Sequence, residues 1–359
     1  MKSNISRRKF IGNASLFSGL SLLNSRVGSR ESAVGSRQSA VGSSEPAAPN
    51  VQRSATIGTV SIMDLTATST QDMVQKVLKV MEGMLPYKPD IICLPEGFAY
   101  TNISNNKYQV KEVAETAPGP VVTPFLKFAA AHKCYIICPT YTRYEGNIYI
   151  SAVLIDRQGR VVGEYHKIRP TEDEMQAGVK PGKLDPPVFK TDFGTIGIQI
   201  CFDVKYEDGW NSLKDKGAQI IFWPSAYASG QEISSRAWRH QVYIVTSTQK
   251  DTSKICDLTG DTIVQTGRWQ RNWVCAPINL EKAFIHSWPA VMLFPEIQKK
   301  YGSRIALTTF SEEEWTIIES LDPGLKIAEV LKEFNLKTMH DTMKELAVVH
   351  EKARKLISK

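Results

Sequence analysis

The chain has 359 residues, of which 42% are hydrophobic, so it is long enough to bury a large core in one major domain. Its formal net charge of +7 is concentrated at the N-terminus, because residues 1–50 carry +5 and the remainder only +2. This distribution gives the folded part no general electrostatic affinity for nucleic acid. The six cysteines include no CxxC pair and the histidines no HxH or HExxH pattern. We therefore expect neither a structural metal nor another cofactor.

The N-terminus reads Ser6-Arg7-Arg8-Lys9-Phe10, followed by a weakly apolar stretch that ends near Leu23. This arrangement is typical of a twin-arginine export signal, and a disordered basic tail is the alternative. We expect residues 1–26 to form the signal, with transient binding to the twin-arginine machinery and export to the periplasm. Residues 27–47 repeat a Val-Gly-Ser heptad, whose Gly and Ser content predicts a disordered linker over 27–55.

Residues 56–280 are predicted to form the main folded domain. Apolar, β-branched runs alternate with segments of helical spacing, which indicates an α/β sheet covered by helices. The predicted strands are 56–63, 90–94, 134–139, 148–156, 160–165, the run from Thr195 to Cys201, 218–224, 259–265 and 273–279. The predicted helices are 71–85, 123–132, a short surface helix within 204–216, and a helix that starts near 231 and runs into a strand by 246.

Three of the predicted strands end on chemically active side chains: Glu96, Lys167 and Cys201. If these strands are neighbours, then a base, a cation and a nucleophile converge on one edge of the sheet, where open α/β sheets place their ligands. A free cysteine alone is more often a buried small hydrophobe. It is the three strand ends taken together that predict a thiol active site.

The motifs at these strand ends resemble the nitrilase, or carbon-nitrogen hydrolase, superfamily. They are Leu94-Pro95-Glu96, Tyr165-His166-Lys167, and Gly197 to Asp203 followed by Trp223-Pro224-Ser225-Ala226. The resemblance implies a four-layer αββα sandwich and a homodimer or higher oligomer. It also implies a catalytic triad, with Cys201 as nucleophile, Glu96 as general base and acid, and Lys167 as oxyanion stabiliser. Glu174, which fits the family spacing better than Glu172, is expected to orient Lys167.

Residues around the cysteine indicate the substrate class. Nitrile-hydrolysing members of the superfamily resemble C-W-E at this point and amidases C-x-D, so Cys201-Phe202-Asp203 favours a small-molecule amide. We expect Phe202, Trp223 and Tyr227 to contact the substrate, with a core position as the alternative for Trp223. The other hypotheses are a nitrilase, an N-carbamoyl hydrolase and an acyltransferase that uses the same thioester. A non-catalytic binding protein and a redox thiol protein are the alternatives outside this chemistry.

Residues 281–359 are predicted to be a mostly helical C-terminal extension beyond the family core. We expect irregular structure over 281–301, a strand over 304–310, and a short helix opened by a capping box at Ser311–Glu314. Another helix is expected to begin at Asp322-Pro323. The last helix, over 337–357, has an apolar stripe of Met339, Met343, Leu346, Val349 and Ala353, which we expect to pack on the sandwich or on a second subunit.

Overall fold

The computed structural model describes residues 54–104 and 108–357, so the predicted export signal and residues 27–53 of the predicted linker lie outside this part of the chain. Residues 54 and 55, predicted to belong to the linker, instead begin the first strand. The strands are β1 Ser54–Val60, β2 Ile91–Cys93, β3 Tyr135–Tyr144, β4 Asn147–Ile155, β5 Val161–His166, β6 Phe189–Lys190, β7 Thr195–Ile198, β8 Ile220–Ser225, β9 Tyr243–Thr248, β10 Lys254–Cys256, β11 Thr262–Gln265, β12 Trp273–Asn279, β13 Lys282–His286, β14 Ile305–Phe310 and β15 Trp315–Ser320.

The α-helices are α1 Thr70–Glu82, α2 Val110–Val113, α3 Thr123–His132, α4 Glu172–Gln176, α5 Asp208–Asp215, α6 Gly230–His240, α7 Ser287–Ala290, α8 Phe294–Tyr301, α9 Ile327–Glu333 and α10 Met339–Ile357. Local sequence explains where the helices begin and which face they bury, as α1 illustrates. Ser69 caps its first turn by accepting a hydrogen bond from the Asp72 N–H, and the buried residues Met73, Val77 and Met81 repeat every four positions. None of the helices in the described part of the chain is both long and apolar enough to cross a bilayer.

Two six-stranded sheets form the centre of the fold. The first has the strand order β12-β1-β2-β3-β4-β5 and the second β11-β10-β9-β8-β7-β6. In each sheet three adjacent strands run parallel, β1-β2-β3 in one and β7-β8-β9 in the other. Each of the remaining strands is antiparallel to its neighbours. The two halves of the domain therefore have similar topology.

Successive side chains of a strand point to opposite faces of its sheet. One face of each sheet therefore packs on the other sheet and the opposite face packs on helices, which gives four layers. Ile220 and Phe222 of β8 pack between the two sheets, whereas Ile221 and Trp223 face the helices α5 and α6. On the other side Ile92 of β2 joins residues of α1 and α3. The predicted αββα sandwich is confirmed, and its helices cover both outer faces.

The C-terminal extension differs from the prediction. It contains a three-stranded antiparallel sheet of order β13-β15-β14 as well as helices, so the segment 281–301 is not irregular. The predicted capping-box helix at Ser311–Glu314 is wrong, because these residues form the turn between β14 and β15. Trp315–Ser320 pairs along its length with β14 and β13, and the ladder hydrogen bonds outweigh the local helix signal. The next helix begins at Ile327, not at Asp322-Pro323.

Ser247 joins the two sheets directly. Its hydroxyl lies 2.7 Å from the Val60 carbonyl oxygen and 3.0 Å from that of Cys93, both in the first sheet, while Ser247 itself is in β9 of the second. All three residues are completely buried. The contact holds the end of β2, from which the chain continues to Glu96, against the opposite sheet.

We predict that Ser247→Ala lowers the free energy of unfolding by about 1–3 kcal/mol, because it removes a fully buried donor between the two sheets, although Ser253 Oγ still donates to the Val60 carbonyl at 2.9 Å. Urea denaturation of the two proteins measures the difference. Ser303→Ala, at an exposed serine, is the matched control and should change stability by less than about 0.5 kcal/mol. Equal effects of the two substitutions would contradict the proposed role of the Ser247 hydroxyl.

Candidate active site

The residues predicted at three strand ends come together across the two sheets, not along one edge of a single sheet. Glu96 follows β2 and Lys167 follows β5, which are separated by β3 and β4 in the first sheet, and Cys201 follows β7 in the second. The expectation that the three strands are neighbours is therefore wrong. The loops after β2 and β5 carry the two side chains to the same point, where the sheets face each other.

Lys167 is the centre of the site. Its side chain is completely buried, and its Nζ lies 2.8 Å from Glu96 Oε1 and 2.8 Å and 2.9 Å from the two carboxylate oxygens of Glu174. Burial acts to lower the pKa of Lys167, but the negative charge of Glu96, Cys201 and Glu174 outweighs it and raises the pKa above its ordinary value. The ammonium group is therefore permanently charged at neutral pH.

Glu174 is held in place by the helix that carries it. It is the third residue of α4, where its carboxylate accepts a hydrogen bond from the Thr171 N–H at 2.8 Å and the Thr171 hydroxyl accepts from the Glu174 N–H at 3.4 Å. This reciprocal capping box fixes the carboxylate that also contacts Lys167. The alternative candidate, Glu172, is exposed and accepts a hydrogen bond from Gln176. The structure thus places Glu174, and not Glu172, beside Lys167.

Two glycines allow the backbone to adopt its conformation next to Glu96 and Lys167. Gly97, directly after Glu96, has a φ of 52°, which turns the chain sharply from β2 into a 3₁₀ turn at Phe98–Tyr100. Gly182 donates its N–H to the Lys167 carbonyl at 2.8 Å, and a Cβ there would lie 2.3 Å from the His166 carbonyl oxygen. A side chain at position 182 would push this segment away from Lys167.

Cys201 opens a 3₁₀ turn, Cys201–Lys205, that follows β7 directly. Its φ of 47° lies in the left-handed region, which a residue with a Cβ adopts only when the surroundings enforce it. Burial and then the Glu96 charge raise the pKa of the Cys201 thiol to about 12, and Lys167 opposes the shift. The thiol is therefore protonated at neutral pH, and it needs a base in order to react.

A network of buried hydrogen bonds holds this turn. Asp203 accepts from the Ile200 N–H at 2.8 Å, the Tyr165 hydroxyl at 2.7 Å and the Arg169 N–H at 2.7 Å. Burial raises the pKa of Asp203 to about 6, although these donors and Lys167 act to lower it. Tyr165 and Arg169 flank Lys167 in sequence. Asp203 therefore connects the turn Cys201–Lys205, which we call the nucleophile turn, to the segment that carries the lysine.

The structure gives Trp223 a supporting position instead of the expected place in a pocket wall. The indole is fully buried on the helix side of the second sheet, because it alternates with Phe222 along β8. Its Nε1–H donates to the Cys201 carbonyl at 3.0 Å. The structure thus favours the core alternative for Trp223. The hydrogen bond from its indole to the Cys201 carbonyl supports the strained backbone of the nucleophile.

The other two predicted substrate contacts are partly exposed beside the thiol. Phe202 follows Cys201 and meets Tyr206 edge-on at 6.1 Å. Tyr227 packs edge-on against Trp223 at 5.6 Å, and burial raises the pKa of its hydroxyl. Sequence reasoning assigned no role to Ser225, whose hydroxyl accepts from the Tyr227 N–H at 3.1 Å and acts to lower the pKa of the Cys201 thiol. The motif Trp223-Pro224-Ser225-Ala226 was the signal that could have revealed it.

No three His, Cys, Asp or Glu side chains in residues 54–104 and 108–357 are grouped as metal ligands. All six cysteines are unpaired.

The arrangement at Cys201 provides a protonated nucleophile, a buried carboxylate and a buried cation. These groups are suited to acyl transfer through a covalent thioester.

The sequence of this chain is similar to those of known proteins. A family model described as carbon-nitrogen hydrolase matches residues 54–284. The deaminated glutathione amidase of Dictyostelium discoideum is 24% identical over 213 residues, which cover 53% of this chain and 73% of that protein. The nitrilase of Pyrococcus abyssi is 29% identical over 177 residues, covering 48% of this chain and 66% of that protein.

Solved structures show the same fold at lower sequence identity. An amidase from Nesterenkonia sp. has a TM-score of 0.55 and 15% identity, over 64% of this chain and 91% of that one. Saccharomyces cerevisiae Nit3, a nitrilase-superfamily member, has a TM-score of 0.55 and 16% identity, over 71% and 97% of the two chains. Residues 285–357, which carry the end of β13, strands β14 and β15 and helices α7–α10, lie beyond the family match.

We predict that Glu96→Gln makes the thiol more reactive toward a simple alkylating agent while it abolishes turnover. The substitution removes a charge that raises the pKa of Cys201 and leaves Lys167, which lowers it, so more thiolate is present at a given pH. The rate of Cys201 alkylation by iodoacetamide, followed by peptide mass spectrometry between pH 7 and 10, measures this effect. Glu172→Gln is the matched control and should behave as the wild type. A slower alkylation in Glu96→Gln would contradict the assigned charge interaction.

Proposed function

Because this chain belongs to the carbon-nitrogen hydrolase family, we propose that it hydrolyses the C–N bond of a small, non-peptide amide through a thioester on Cys201. The observation that carries the proposal is the position of Lys167, buried between Glu96 and Glu174 and in electrostatic contact with the thiol. A binding protein on the same fold would gain nothing from a buried cation, two carboxylates and a strained cysteine in one place.

In the first half of the reaction, Glu96 takes the proton of the Cys201 thiol as the sulfur attacks the amide carbonyl carbon. The Lys167 ammonium and the Phe202 N–H, in the first turn after the nucleophile, stabilise the oxyanion that forms. When the tetrahedral intermediate collapses, Glu96 returns the proton to the nitrogen. The C–N bond breaks, ammonia or an amine leaves, and the acyl group remains on sulfur as a thioester.

In the second half, water replaces the departed amine. Glu96 takes a proton from water as the water oxygen attacks the thioester carbonyl, and the same donors stabilise the second oxyanion. Collapse of this intermediate breaks the C–S bond, and the proton on Glu96 returns to the sulfur. The products are a carboxylic acid and free enzyme, so Glu96 alternates between base and acid while Lys167 keeps its charge.

Two observations favour an amide over a nitrile. The sequence Cys201-Phe202-Asp203 follows the C-x-D pattern of amidases, and Asp203 is a structural part of the nucleophile turn. Several of the similar proteins are amidases: the deaminated glutathione amidase, and the Nesterenkonia enzyme, which has been solved with butyramide. The Pyrococcus relative is a nitrilase, and nitriles therefore belong in the test.

We predict ammonia release from one class in a panel of aliphatic amides including butyramide, aromatic amides, N-carbamoyl compounds and nitriles. Cys201→Ala should abolish the release, since no other group can form the thioester. The exposed-site variant Glu172→Gln should keep it. Addition of hydroxylamine tests for the thioester itself, because this nucleophile converts a thioester to a hydroxamate, and Cys201→Ala should form none. A folded wild-type protein that is inactive on every class, with or without hydroxylamine, would contradict the proposal.

We also propose that the protein is exported through the twin-arginine pathway to the periplasm and acts there as a homo-oligomer. The support for export is the motif Ser6-Arg7-Arg8-Lys9-Phe10 at the N-terminus. We predict that replacing both Arg7 and Arg8 by Lys retains the protein in the cytoplasm of a bacterium with an active twin-arginine system, as measured by immunoblotting of periplasmic and cytoplasmic fractions. Unchanged export of this variant would contradict the assignment.

A further inference from the structure

The last helix, α10, leaves the body of the protein after its first turn. Met339 is buried, and the next turn is held by Asp215 of α5, which lies 3.2 Å from His340 Nε2 and 3.0 Å from Lys344 Nζ. From Met343 to Ile357 every residue of the helix is exposed. Most helical stability in proteins comes from tertiary packing of an apolar face, and the exposed part of α10 has no such packing within the protomer. A surface outside the protomer could supply it.

The exposed part of α10 has one apolar face. Met343, Leu346, Val349, Ala353 and Leu356 follow one another at steps of three or four, so they lie on the same side of the helix. Leu346, Val349 and Leu356 are 42%, 57% and 77% exposed. The expectation that this stripe packs on the protomer's own sandwich is therefore wrong beyond Met339. A continuous apolar stripe in water is typical of an interface and not of a free surface.

The charges on α10 distinguish between the possible occupants of this face. Its N-terminal half carries the acidic residues Asp341 and Glu345, and its C-terminal half carries the basic residues Lys352, Arg354 and Lys355. Lys344 faces Asp215, Arg354 pairs with Glu351 on its own helix, and Glu345 pairs with Lys337, whose Nζ lies 2.6 Å from Glu345 Oε2, so Lys352 has no carboxylate partner among the ion pairs of the described residues. A second α10 running antiparallel would place the acidic half of each helix against the basic half of the other. A parallel arrangement would bring like charges together.

We propose that α10 is an oligomerisation element, which pairs through its apolar face with α10 of a second copy of this chain in antiparallel orientation. The twofold axis passes near Val349 and His350, the middle of the exposed stripe. Glu345 of each copy then lies near Lys352 of the other, because both residues flank the apolar stripe on the same side of the helix. The pairing buries the stripe on both helices and gives each the tertiary contact that it lacks in the protomer.

The first test measures the mass of the full-length protein by light scattering during gel filtration. The wild type should elute as a multiple of the 40.1 kDa chain, and Leu346→Asp combined with Val349→Asp should halve that mass. Val348→Asp is the matched control, because Val348 is also exposed, at 55%, but lies on the opposite side of the helix. An unchanged mass in the double variant, or an equal change in Val348→Asp, would overturn the proposal.

The second test fixes the orientation and does not depend on disrupting the helix. Val349→Cys should form a disulfide-linked dimer under a mild oxidant, because the two copies of residue 349 meet near the axis. Leu356→Cys should not, since an antiparallel pair separates the two copies of residue 356 by about 20 Å along the helix. Cross-linking at 356 instead of 349 would show a parallel pair and overturn the orientation.

A lipid surface is the competing occupant, because apolar residues and C-terminal basic residues can also bind a membrane. Sedimentation of the wild type with vesicles of neutral and of anionic lipid tests it. If the wild type is a monomer and binds vesicles through Leu346 and Val349, the pairing proposal is wrong. The expected result is no sedimentation at a protein concentration where the dimer forms.

Discussion

The buried charge of Lys167 is the constraint around which the active site is arranged. An ammonium group removed from water is stable only beside opposite charge, and Glu96 and Glu174 supply it at 2.8 Å each. The two carboxylates and one ammonium give this cluster a net charge of −1 while the thiol is protonated. Ionisation of Cys201 would make the net charge −2 in a site that water hardly reaches, which explains why the thiol pKa is raised despite the nearby lysine.

The same balance of charge explains why Glu96 must take the thiol proton during the attack and not before it. When the proton moves to Glu96 as the oxyanion forms, one negative charge disappears and another appears, and the cluster keeps its net charge of −1. Each step then moves charge over a short distance inside a preorganised site and avoids creating new charge. Glu174 does not share in this transfer, because its carboxylate is occupied by Lys167 and by the cap of α4.

Much of this arrangement could be predicted from sequence, and the limits have physical causes. Local patterns located the strands that end at Glu96, Lys167 and Cys201, because alternation and buried runs are properties of the strand itself. They could not show that Cys201 belongs to a different sheet from the other two, since strand order depends on long-range pairing. Trp223 illustrates the same limit, because one step along β8 moves a side chain from the sheet interface to the helix layer. The Ser311–Glu314 pattern favours a helix locally, and the pairing of Trp315–Ser320 on both sides overrides it.

The C-terminal extension is joined to the active-site half of the sandwich through helix α6. Trp238 of α6 stacks on Trp315 of β15 at 4.8 Å and meets Phe284 and Phe310 edge-on, so four aromatic rings fix the small sheet to this helix. Two residues earlier on α6, Arg236 donates from Nε and Nη2 to the Val204 carbonyl, at 3.1 Å and 2.7 Å, inside the turn that Cys201 opens. One helix thus carries the anchor of the extension and a support of the nucleophile turn. Packing of the extension therefore restricts the movement of α6, and through Arg236 it helps to keep Cys201 in its strained conformation.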